Sequence, residues 1–241
     1  MSSTRVLRPN DILSNRYPLF YYITDRNSLT VPDESSLLRH ARKIIAWGAD
    51  FIQIREKDLS DRRLFELTRG IVKIARGSHC RVLVNGRADI AVAAGADGVH
   101  LASSGPGIPV IRSWIPKKFI VGVSVHTMKE VHAAGAAGAD YILVGHVFPT
   151  ASKEGMGAAL GVNFLRRACR GTSAPVLALG GITAERIPSV MEAGAGGVAG
   201  ISLFQKNDEF TRANELGYSK AANMEHCRIS RKRAASGSSV F

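Results

Sequence analysis

The stretch Gly48-Ala49-Asp50-Phe51-Ile52-Gln53-Ile54-Arg55-Glu56-Lys57 carries the reading of the fold. It opens on a helix stop, because glycine suits the left-handed residue that ends a helix. An Ala-Asp turn follows, and then a short aromatic and β-branched run that reads as a buried strand. The signal recurs. Gly95-Ala96-Asp97 precedes the run Gly98–Leu101, Gly138-Ala139-Asp140 precedes Tyr141–Gly145, and the variant Gly194-Ala195-Gly196 precedes Gly197–Ile201. Four further runs alternate with these: Phe20–Thr24, Arg81–Asn85, Ile120–Val125 and Val176–Gly180. With Phe51–Arg55 they make eight candidate strands, and the repeat stands before the second, fourth, sixth and eighth.

Amphipathic stretches rich in Gly and Ala separate the strands. Glu34–Trp47, Asp61–Arg76, Met128–Ala137 and Ala184–Ala193 are long enough for crossover helices. Such alternation implies parallel pairing and right-handed crossovers. Eight strands in 241 residues favour closure over an open doubly wound sheet, since a closed barrel of this kind takes about 250 residues. The expectation is a single α/β domain, a (β/α)₈ TIM barrel of parallel strands over 20–211. Residues 1–19 read as a polar leader with Pro9 and Pro18. Residues 212–241 read as a basic, disordered tail. They hold six basic and two acidic residues, and the run Arg231-Lys232-Arg233 lies beside Ala, Gly and Ser.

Composition narrows the function. The formal net charge is +12, a balance that first suggests nucleic acid. The excess is scattered outside the tail and is not interleaved with aromatic residues, so no specific nucleic-acid role is expected. Attraction of anionic phosphate substrates is the milder reading. No run of about 18 apolar residues is present, so no membrane span is expected. The N-terminus lacks the apolar region of a secretory signal. Cys80, Cys169 and Cys227 are far apart and form no CxxC pair, which argues against disulfides or zinc and fits a cytoplasmic location. A homo-oligomer is left open.

In these barrels the chemistry sits at the carboxyl ends of the strands. The second strand ends in Gln53, Arg55 and Lys57, which share one face if the chain stays extended. Inward barrel positions are normally branched and apolar, so three long polar groups there call for an anionic ligand. The third strand ends at Asn85, the fifth at Ser124 and His126, and the sixth runs through His146 to Thr150. The following loop carries Ser152 and Lys153 and is placed to act as a lid. The seventh and eighth strands end in Gly180-Gly181 and Ile201-Ser202, where backbone amides can cradle a phosphate. His126 is the candidate acid–base group; His100, inside the fourth strand, reads as core. No HExxH or other metal-ligand spacing is present.

Taken in order, these motifs resemble the thiamine phosphate synthase superfamily, including its thiazole tautomerase (TenI-type) branch. The carriers are Tyr22-Ile23-Thr24-Asp25, Gln53-Ile54-Arg55-Glu56-Lys57, Val84-Asn85, Ala96-Asp97-Gly98-Val99-His100-Leu101, Gly122-Val123-Ser124-Val125-His126-Thr127, Gly145-His146-Val147-Phe148-Pro149-Thr150 and Leu179-Gly180-Gly181-Ile182-Thr183. They cover about Tyr21 to Ser202. The resemblance implies thiamine biosynthesis and a small-molecule thiazole phosphate ligand. It assigns Gln53, Arg55, Lys57, Asn85, Ser124, Thr150, Ser152 and Lys153 to the substrates and Gly180, Gly181, Ile201 and Ser202 to the phosphate.

The two branches differ in chemistry. In the synthase, thiazole phosphate attacks a carbon of a pyrimidine diphosphate and pyrophosphate leaves, with magnesium held by an Asp after the third-strand Asn and another beyond the fourth strand. Here those places are Gly86 and Ala102-Ser103-Ser104-Gly105-Pro106-Gly107, without a carboxylate. Magnesium needs oxygen ligands, typically one or two of them carboxylates. The tautomerase moves a proton to aromatise the thiazole and needs no metal; a strand-five histidine matching His126 does this. Gly145-His146-Val147-Phe148-Pro149 also looks closer to the tautomerase. The expectation is therefore a tautomerase with no cofactor. The alternatives are the synthase, with magnesium, and a non-catalytic thiamine-ligand binding protein.

Overall fold

A computed structural model describes residues 18–150, 157–205 and 212–213. Eight parallel strands close into a barrel in chain order. They are β1 (Leu19–Ile23), β2 (Phe51–Ile54), β3 (Arg81–Asn85), β4 (Gly98–Leu101), β5 (Ile120–Val125), β6 (Tyr141–Gly145), β7 (Val176–Leu179) and β8 (Gly197–Gly200). The helices among the described residues are α1 (Glu34–Ala46), α2 (Asp61–Ala75), α3 (Ala88–Ala94), α4 (Ile108–Arg112), α5 (Met128–Ala136), α6 (Gly161–Arg170), α7 (Ile187–Glu192) and α8 (Ser202–Gln205). Short 3-10 turns stand at Arg26–Ser28 and Ala184–Arg186. Among the described residues no helix is long and apolar enough to cross a membrane.

Strand alternation sorts the apolar residues into two cores. One face of each strand packs under the helices, in a layer with Ile44, Leu67, Val84, Val121, Ile142 and Val198. The other face fills the barrel with Leu19, Tyr21, Phe51, Leu83, Ile120, Tyr141, Leu143 and Leu177. Rings this large fit because small residues face them. A Cβ on Gly122 would stand 1.9 Å from Cζ of Tyr141, so the glycine of β5 makes the space that the tyrosine of β6 fills.

The Gly-Ala-Asp repeat stitches the amino end of the barrel. Each glycine ends a helix at positive φ: 99° at Gly48, 73° at Gly95 and 76° at Gly138. Each alanine is buried. Each aspartate reaches back to the preceding odd strand, where its carboxylate accepts from a backbone N–H. Phe20 donates to Asp50 at 2.9 Å, Val82 to Asp97 at 2.8 Å and Val121 to Asp140 at 2.7 Å. The backbone N–H of the same aspartates donates to the carbonyls of Phe20, Val82 and Val121. At the fourth place Gly196 keeps only the backbone bond, to Val176 at 2.8 Å.

Boundaries differ from expectation in a few places. β1 takes in Leu19, which the leader was expected to hold. β2 stops at Ile54 rather than Arg55, where the Arg55 N–H donates to the Thr24 side chain at 2.9 Å instead of extending the ladder. β7 stops before Gly180, whose φ of 94° breaks the strand. The first residues of the expected tail are structured: Arg212 pairs with Glu185 at 3.1 Å and Ala213 is buried, because both pack on the barrel. The rest of the tail and residues 1–17 lie outside the described residues, as do Ser152 and Lys153.

Candidate active site

The carboxyl ends of β2 to β5 bring Gln53, Arg55, Asn85 and Ser124 to one mouth. Period-two alternation points them inward, above the aromatic filling. Gln53 is buried and donates from Nε2 to Oδ1 of half-buried Asn85 at 2.9 Å. Ser124 lies 2.8 Å from Nε2 of His100, which the register places beside Asn85. Arg55 is half-buried, and its charge helps to depress the basicity of His100.

The expected common face of Gln53, Arg55 and Lys57 does not extend to Lys57, because the strand ends at Ile54. Lys57 is exposed in the turn that follows, and that turn is clamped. The carboxylate of Glu56, side chain 1% exposed, accepts from the Arg26 side chain at 3.0 Å and from its backbone N–H at 3.2 Å. Arg26 also grips Asp58 through both terminal nitrogens, at 2.6 and 2.5 Å, and holds that carboxyl down at about 2. The two acids of this loop are thus both held by Arg26, whose single charge offsets one of them. Arg55 and Lys57 have no carboxylate partner among the described residues.

His126 is exposed at the end of β5. Its Nδ1 lies 2.5 Å from the Gly145 carbonyl, so Nδ1 carries the proton and donates, and Nε2 is left to accept when the ring is neutral. Its backbone is fixed from the other side, because its N–H donates to Glu130, which with Thr127 forms a capping box at the start of α5. Thr150 is half-buried at the end of the β6 loop. Gly180 and Gly181 have φ of 94° and 64°. A Cβ at Gly181 would come within 2.6 Å of the Pro149 carbonyl. Close packing of the β6 and β7 loops therefore demands these glycines whether or not an anion binds. Ile201 turns its side chain to the barrel interior, and exposed Ser202 starts α8.

Sequence reasoning missed Arg186, whose guanidinium donates to the Gly181 carbonyl at 2.5 Å and lies 4.7 Å over the Phe148 ring. It also missed Arg26. His100 is core, as expected, but polar core: it touches Ser124 and Tyr141.

Among the described residues, the two places expected to hold magnesium do not fit the ion. Gly86 stands at the end of β3 with φ of 70° and no side chain, and residues 102–107 bring no carboxylate. Asp61 and Asp89 nearby are both paired with Arg87, and Asp97 lies at the opposite end of the barrel. Among the described residues no cluster of three His, Cys, Asp or Glu side chains could hold a metal.

The family described as thiamine monophosphate synthase matches residues 20–204. A Geobacter sulfurreducens relative, provisionally named a thiamine-phosphate synthase, is 42% identical over 81% of this chain and 91% of its own. The thiamine-phosphate synthase of Methanocella arvoryzae is 38% identical over 80% and 90%. Among solved structures, the thiamine phosphate pyrophosphorylase of Pyrococcus furiosus superposes with a TM-score of 0.72 at 31% identity, covering 82% of this chain and 93% of that one. These names favour the synthase over the tautomerase that the sequence motifs had put first.

Proposed function

Because the chain belongs to the thiamine monophosphate synthase family, we propose that it is a transferase that joins a pyrimidine diphosphate to thiazole phosphate in the mouth of the barrel. One observation carries this reading beyond the names of the relatives. Arg55 stands at the mouth and Lys57 is exposed in the turn just beyond it, both without a carboxylate partner among the described residues, while the acids beside them are tied to Arg26. Two such cations suit a diphosphate. In the reaction, the bond from thiazole to the pyrimidine carbon forms as the carbon–oxygen bond to diphosphate breaks, and the leaving group takes the electron pair. Arg55 and Lys57 stabilise the charge that grows on it. Gln53, Asn85 and Ser124 hold the heterocycle, and the loops at Gly180-Gly181 and Ile201-Ser202 hold the thiazole phosphate. Thr150 lines the β6 side, and Ser152 and Lys153 follow two and three residues further along the chain.

A second reading rests on its own observation. Both expected metal carboxylates are absent, and the free Nε2 of His126 stands ready for proton transfer, which suits a thiazole tautomerase. Full-length protein given each substrate set, with chelator or magnesium, separates the two. Formation of thiamine phosphate that survives chelator supports the transferase with its own cations. Aromatisation of the thiazole carboxylate without coupling, lost by about 10²–10⁴-fold in His126→Asn, replaces it with the tautomerase.

A further inference from the structure

Six side chains from six strands form one row through the barrel. Asn85 Oδ1 accepts from Gln53 Nε2 at 2.9 Å, and Gln53 Oε1 accepts from the Tyr21 hydroxyl at 2.9 Å. The Tyr21 and Tyr141 hydroxyls lie 2.8 Å apart, Tyr141 lies 2.9 Å from His100 Nδ1, and His100 Nε2 lies 2.8 Å from Ser124 Oγ. The four middle members are buried, and the two ends open on the mouth.

Each hydroxyl in this row has one hydrogen, and a neutral imidazole has one N–H. Tyr21 spends its hydrogen on Gln53, so Tyr141 must donate to Tyr21. Tyr141 then has none for His100, so His100 must donate from Nδ1. Its Nε2 is left as an acceptor, and Ser124 must donate to it. No single link can reverse without reversing every other. Burial and the charge of Arg55 hold His100 down at about 3, which keeps the ring neutral and the count of hydrogens fixed.

We propose that this row is a one-way hydrogen-bond relay that sets the polarity of the mouth, with His100, Tyr141 and Tyr21 as positioning residues. Ser124, its hydrogen committed inward, presents lone pairs to the ligand. Asn85, its oxygen committed to Gln53, presents its NH₂. The mouth therefore selects a heterocycle edge with a donor for Ser124 and an acceptor for Asn85, as an amino group beside a ring nitrogen provides. An oxo group in place of the amino group meets lone pairs and is refused.

Two arms test the relay. The first needs no variant and does not depend on the proposed reaction. In ¹⁵N-histidine-labelled full-length protein, with His100 assigned through His100→Gln, its imidazole is expected as the Nδ1–H tautomer, unchanged from pH 8 to pH 5. An Nε2–H tautomer, or a titration in that range, overturns the polarity. The second arm rests on the transferase reading. Tyr141→Phe keeps the ring and removes the link, so preference for an aminopyrimidine diphosphate over its oxo analogue is expected to fall at least about tenfold, while inorganic pyrophosphate binds as before. Unchanged preference in a folded variant overturns the role of the relay. If the wild type discriminates neither compound while His100 shows the expected tautomer, the proposed substrate fails and the relay stands.

Discussion

Asp50 and Arg55 flank the same short strand, one at each end of the barrel, and their surroundings are opposites. Asp50 is buried and takes a backbone hydrogen bond from β1; its counterparts before β4 and β6 do the same for β3 and β5. Arg81 and Arg112 add ion pairs to two of them, at 3.3 and 2.5 Å. Arg55 follows its strand half-buried, without a carboxylate partner among the described residues. One end spends its charges on holding strands together. The other leaves a cation without a carboxylate beside it, at a cost in stability, and so suits the anionic ligand proposed above. Holding the fold and, on the proposed reading, binding a phosphate ester thus fall to different ends of the same eight strands.

Substitution at the two ends should separate these tasks. The largest effect is expected at the mouth: Arg55→Met should lower turnover by about 10²–10³-fold, as loss of one stabilising charge does, and leave the melting temperature unchanged or higher. Steady-state kinetics beside calorimetry would show it, and a melting temperature that falls with activity would make Arg55 structural. Next comes the amino end. Asp50→Ala leaves the Phe20 N–H without its acceptor and should cost about 1–3 kcal/mol of stability, with turnover per folded molecule intact. Denaturant unfolding measures this, and a loss of turnover in folded protein would erase the division between the ends.

The third effect depends on pH. His100 takes up a proton only near pH 3 in the folded barrel, against an ordinary value of 6.5. Between these values the unfolded chain binds more protons, so stability is full above pH 6.5 and falls as pH drops through that window. The loss is about 2 kcal/mol from pH 6.5 to pH 5. In His100→Gln that part of the slope should vanish; an unaltered slope would assign acid sensitivity elsewhere. The smallest effect belongs to the surface. Arg212→Ala breaks an ion pair whose side chains are 62% and 57% exposed, and should leave the melting temperature almost unchanged. A greater loss in thermal unfolding would show that the segment after α8 is integral to the barrel.

The strands were legible because each is a compact apolar run closed off by a turn, and the helix stops because glycine alone tolerates φ above 70° at Gly48, Gly95 and Gly138. The function of the aspartate in that repeat was not legible, since its bond partner is a backbone N–H on a strand up to thirty residues away. At the mouth, Gln53, Arg55, Asn85 and Ser124 stood out as polar groups at strand ends. Tyr21, His100 and Tyr141 did not. Each looks like an ordinary core residue within its own strand, and only closure of the barrel brings their polar atoms into one line. Lys57 misled in the opposite direction: alternation carried it inward, but the chain leaves the sheet at Ile54.

Closure has a consequence for how the chain is made. The last seam joins β1 to β8, with Leu19 against Gly197, so the first strand to leave a ribosome waits for almost the last. Until β8 arrives, β1 and β7 each present an open edge of unpaired N–H and carbonyl groups, a template for another nascent chain. Contacts of such sequence separation also slow folding. A release or nick between β7 and β8 therefore yields a sheet with two exposed borders, and self-association of such fragments is the hazard this topology carries.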